Sequence, residues 1–82
     1  MGNDKSDAVR ELVVNGNYKQ ALRIVKEFRL NIRQEDSNKL KLAYECMVHP
    51  LFYEQLGTDT ATAITEGIQI LVSLYGQDEH NG

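Results

Sequence analysis

Apolar residues recur at three- and four-residue intervals along almost the whole chain, and no stretch alternates apolar with polar long enough to make a strand. The pattern therefore predicts helices. The first runs from about Ser6 to Asn15 and presents Ala8, Val9, Leu12 and Val13 on one face. Ser6 can cap it, Asp7 suits the positive end of its dipole, and Gly16 can take the left-handed conformation that ends it. Asn17 restarts the chain, with Asn17 and Gln20 at capping-box spacing. The second helix is lined by Tyr18, Ala21, Leu22, Val25 and Phe28, with Ile24 beside them. So short a break forces an antiparallel hairpin.

A third helix is expected to begin between Asn31 and Gln34, again at capping-box spacing, with Glu35 and Asp36 in its first turn. Its stripe is Leu40, Ala43, Tyr44, Met47 and Val48. It must end near His49, because Pro50 disfavours helical geometry at the residue before it. Pro50 fits the first position of a short helical turn through Leu51, Phe52, Tyr53 and Leu56 to Gly57. Thr58 or Asp59 caps the last helix, whose stripe reads Ala61, Ile64, Ile68, Leu71, Val72 and Tyr75, and Gly76 closes it. The fold class is all-α, a compact bundle of four helices plus one short helical turn at Pro50–Leu56. Residues 6–76 form one domain, and disorder is expected at 1–5 and 77–82.

Length allows one domain at most, and 82 residues must use their core efficiently. No apolar run approaches the roughly 20 residues that span a bilayer, and the start lacks the apolar stretch of a secretory signal. Gly2 with Ser6 matches the bare myristoylation pattern without a polybasic neighbour, so a solvated N-terminus is the better reading. A single cysteine permits no internal disulfide, which suits a reducing cytoplasm. The net charge of −3 is uneven: residues 19–41 carry seven basic side chains against three acidic ones.

The rarest residue types gather around Pro50, yet chemistry is hard to build there. Cys46 and His49 sit three apart on one helix, the spacing of a nucleophile with its base or of two metal ligands, but no third ligand lies near in sequence. Cysteine in such a stripe acts as a small hydrophobe. Glu45 and Glu54 flank the corner but fall on sides opposite the apolar stripes, where nothing perturbs them for acid–base work. Gly16 and Gly57 are isolated, so no phosphate-binding loop exists, and no cofactor or metal is expected. Gly67, inside the last helix, permits close approach of another helix.

The stretch Gly16-Asn17-Tyr18-Lys19-Gln20-Ala21-Leu22 resembles the junction between the two helices of a tetratricopeptide repeat. That resemblance implies a tight helical hairpin; the repeat's first-helix signature is missing, and no second copy follows at a 34-residue period. As a whole the chain resembles the short helical proteins of unassigned function found in Gram-positive bacteria and their mobile elements, a resemblance that implies no activity.

The functional expectation is a non-enzymatic, cytoplasmic interaction module or accessory protein whose partner is another protein or a second copy of itself. Phe52 and Tyr53 point to different sides of one turn, which cannot bury both. Leu42, Leu51, Ile70 and Leu74 fall off the main stripes. The candidate contact residues are Leu51, Phe52, Tyr53, Ile70 and Leu74. The alternative is a DNA-binding accessory protein that uses Arg29, Arg33, Lys39 and Lys41, with residues 17–28 and 33–49 as a helix-turn-helix. The acidic start of the second of those helices, Gln34-Glu35-Asp36, opposes phosphate contact and makes this the weaker alternative.

Overall fold

A computed structural model of the chain describes residues 5–28 and 32–76. The described residues form five helices and no strand: α1 (Lys5–Val14), α2 (Tyr18–Val25), α3 (Gln34–Val48), α4 (Pro50–Gln55) and α5 (Thr60–Tyr75). Of the expected disorder at 1–5 and 77–82, residues 1–4 and 77–82 lie outside the described residues; Lys5 is already the first residue of α1, so Ser6 stands inside the helix and not at its cap. Neighbour packs on neighbour in a closed ring, α1 on α2, α2 on α3, α3 on α5 and α5 on α1. The all-α bundle read from the pattern is thus the fold.

The turns form where local chemistry demands. Gly16 (φ 78) and Gly57 (φ 89) take the left-handed region that side-chain-bearing residues avoid. Pro50 opens α4, where its missing N–H costs nothing. Asp59 caps α5: its Oδ1 accepts a hydrogen bond from the Thr62 N–H at 3.1 Å. That bond holds the Asp59 carboxyl below its ordinary range. A depressed carboxylate contributes stability above its unfolded pKa and loses it as pH falls through the folded one. Asp59→Ala is therefore expected to melt below the parent at pH 7, with the gap closing as the pH drops below about 4. Thermal scans across that range check this, with Asp59→Asn, which keeps the cap, as the control.

Both expected capping boxes fail. Asn17 makes no side-chain cap bond, and the Gln20 amide oxygen accepts from Arg23 Nε instead at 3.1 Å. Gln34 Nε2 donates to Asn38 Oδ1 at 2.9 Å, and Arg33 stands at the N-cap of α3 without a side-chain capping bond; Asn31 lies outside the described residues. α2 stops at Val25 rather than Phe28, because the chain tightens into three-residue turns, Glu27 N–H to Ile24 O and Phe28 N–H to Val25 O.

The core is Val9 and Val13 of α1, Ala21, Leu22 and Val25 of α2, Leu40 and Ala43 of α3, and Leu71 of α5. Phe28 packs against its margin and meets the Tyr75 ring edge-on, centroids 6.5 Å apart. The buried line of α5 is Ala63, Gly67 and Leu71, so the helix is turned relative to the expected stripe: Ala61 and Val72 are exposed. Gly67 explains the rotation. A Cβ placed on it would overlap the Ala43 Cβ, so α3 and α5 cross with almost no side chain between them. The larger aliphatics Ile64, Ile68 and Ile70 flank that seam, partly buried.

α1 and α2 have 10 and 8 residues, α3 and α5 have 15 and 16. At 1.5 Å per residue the long pair outruns the short pair by roughly 8–12 Å. Lys39 shares a groove with Ile70, Ser73 and Leu74, and Ala43 faces Gly67, so the long pair is antiparallel. α1 and α2 cover the end holding Leu40 and Leu71. The overhang at the other end holds the last turns of α3, the first turns of α5, and α4 between them.

Candidate docking surface at the overhang

α4 leans on α3 and α5, yet none of its residues is buried. Cys46 and Ala63 are buried at this end but stand outside the main core cluster. Leu51 is 73% exposed, Leu56 64% and Phe52 56%. Only Val14, on a different helix, matches them among the exposed large apolar residues described. Phe52 and Leu56 are four apart and share one side of the turn. Tyr53 is half-buried and takes the Phe52 ring edge-on at 4.9 Å, which fixes the orientation of an otherwise free aromatic. Glu54 accepts from Thr60 Oγ1 at 3.5 Å, tying α4 to the start of α5.

The five expected contact residues separate into two places. Leu51, Phe52 and Tyr53 lie together on α4. Ile70 and Leu74 lie on the second half of α5, in a shallow groove with Asp36 and Lys39. Ile70 is half-buried against the core, not exposed as its place off the stripe suggested; the turn of α5 about Gly67 carries it inward. Leu74 is 37% exposed, at the margin. Leu56 belongs to the α4 surface and was missed, although its spacing from Phe52 and its place beside Gly57 were signals for it.

The nucleic-acid candidates do not form one surface. Arg33 is held by Glu35 at 3.1 Å. Lys39 sits beside Asp36 and Glu66. Lys41 lines a separate groove of about 620 Å³ with Lys26, Glu27 and Glu45. Arg33 is thus paired, and the two lysines share their grooves with carboxylates, which weakens the field a phosphate backbone needs. Arg29 lies outside the described residues. In the same groove Lys26 pairs with Glu27 at 2.9 Å and lies 5.4 Å from the Tyr44 ring centroid. The bond to Glu27 raises its pKa above the ordinary lysine range.

Cys46 and His49 share a side of α3 but differ in access. Cys46 is fully buried, and burial pushes its thiol pKa up, away from thiolate. His49 is exposed, and no hydrogen bond joins the two among the described residues. Nor do the described residues hold a group of three or more histidines, cysteines and carboxylates arranged for a metal ion. No helix described is long and apolar enough to cross a membrane. In comparisons with known proteins, no family model, curated protein or solved structure matches the chain.

Proposed function

We propose that this chain is a non-enzymatic helical interaction module of the reducing cytoplasm that docks another protein through α4. What supports the reading is that α4 and its C-cap residue present Leu51, Phe52 and Leu56 to solvent, while no residue of α4 is buried and only Tyr53 is half-buried. A helix that contributes so little to the core has no folding reason to carry three large apolar side chains. A few well-packed side chains supply most of the free energy of protein contacts, and an exposed aromatic is the natural candidate for one of them. The single cysteine, kept as a buried thiol, suits a compartment where disulfides do not form.

Site-specific photocross-linking in the native host tests this. A benzophenone amino acid at position 52 is expected to yield a discrete adduct, whereas the same group at Lys19, an exposed residue of α2, yields none. Equal, diffuse labelling from both positions would sink the reading. Phe52→Ser should leave the fold intact, since exposed positions outside a packing role change stability by no more than about 0.5 kcal/mol.

A further inference from the structure

We infer that the occupant of the α4 surface is a basic segment of another protein, one that sets apolar anchors on Leu51, Phe52 and Leu56 and lysine or arginine side chains against Glu54 and Asp59. This rests on the docking reading above and adds the chemistry of the partner.

All nine lysines and arginines of the chain lie at or before Lys41, and all six acidic residues that follow are left without a cation in their half of the sequence. Folding turns that partition into a polarity of the molecule. The nearest cations along the chain, Lys39 and Lys41, sit on the first part of α3, in two grooves alongside the second half of α5 and beside Lys26. Glu45 shares a groove with Lys26 and Lys41, and Glu66 shares one with Lys39, so those two carboxylates lie in grooves that also hold cations. Glu54 and Asp59 do not. Both are exposed, both sit at the overhang, and among the described residues neither forms an ion pair.

An apolar patch with carboxylates beside it and no cation selects among occupants. A second copy meeting the same face would set Glu54 and Asp59 against their own duplicates, and like-charge contacts at an interface are costly. A phosphate backbone or an anionic bilayer is repelled for the same reason. A basic amphipathic helix satisfies both features at once: apolar residues at i, i+3, i+4 and i+7 enter the patch, and flanking cations reach the rim. Electrostatic attraction also speeds its arrival and makes binding sensitive to salt.

The test uses the full chain and two designed helical peptides followed by fluorescence anisotropy. One carries leucine at those four positions and lysine elsewhere; the other has glutamate for every lysine. The lysine peptide is expected to bind saturably and the glutamate peptide not. Phe52→Ser and Leu56→Ser should each weaken the lysine peptide by about tenfold or more. Glu54→Gln with Asp59→Asn, which keeps the helix cap, should weaken it several-fold and flatten its salt dependence. Equal binding of the glutamate peptide, or no effect of the double charge variant, overturns the basic partner. If binding still depends on Phe52 in that case, the docking surface itself stands. A concentration-dependent dimer in sedimentation that Phe52→Ser abolishes gives the surface to a second copy and likewise overturns the inference. Lysine-peptide binding indifferent to Phe52→Ser and Leu56→Ser overturns both.

Discussion

Leu40→Ala is expected to leave most of the protein unfolded at room temperature. Leu40 has no solvent exposure, and with Leu22 and Leu71 it supplies one fully buried leucine from each of α3, α2 and α5. Removing such a side chain costs about 2–5 kcal/mol, because the hole left behind closes only in part. A domain of this size holds only about 3–5 kcal/mol in total. Far-ultraviolet circular dichroism against urea should then show a transition with little or no folded baseline. Leu40→Met, which keeps the volume, should cost less than about 1.5 kcal/mol and retain the baseline. Leu51→Ala, at a leucine of equal size but 73% exposed, should unfold with the parent. If Leu40→Ala kept the parental midpoint, the four-helix end could not be the seat of stability.

Gly67→Ala is expected to destabilise, against the usual sign for a glycine inside a helix. At an exposed helical position the change gains about 1 kcal/mol. Here the added methyl overlaps the Ala43 side chain, and the Lys39 carbonyl oxygen stands only 3.3 Å from it. α3 and α5 must part along their whole seam, and overpacking of that kind costs about 1–3 kcal/mol. Each kcal/mol of net loss lowers the midpoint of thermal unfolding by about 4–8 °C in a domain this small. Ala43→Gly removes the obstructing methyl, so the Gly67→Ala/Ala43→Gly protein should recover part of the loss, and the double-mutant cycle should show strong coupling. A Gly67→Ala protein more stable than the parent would mean that the two helices do not meet at this point.

What could be read in advance follows from how local each determinant is. Gly16, Pro50, Gly57 and Asp59 act through their own backbone or the next turn, and each stands at the helix boundary it was expected to mark. The buried face of α5 was not legible in the same way. That helix is apolar round most of its girth, so periodicity alone leaves its rotation open; the close approach of Ala43 to Gly67, a contact between residues far apart in sequence, decides it. The same rotation takes Ile70 inward and leaves Val72 outside. The capping boxes failed because Arg23 and Asn38, one turn on, compete for Gln20 and Gln34. At the candidate surface, Phe52 and Tyr53 were legible because a single turn has too little circumference to hide both. Leu56 carries a local signal too, four residues from Phe52 and beside Gly57, but how far it is exposed follows from the length mismatch between the helix pairs.

The confinement of every lysine to the first half of the chain also determines how the protein behaves as a reagent. Coupling through lysine amines, to a sensor chip or a resin, attaches it at Lys5, Lys19, Lys26, Lys39 or Lys41. The α4 segment itself offers no lysine for attachment. Trypsin likewise finds no site between Lys41 and Gly82, so the whole overhang stays on one peptide. Cross-links formed through Phe52 would all be found on that one fragment.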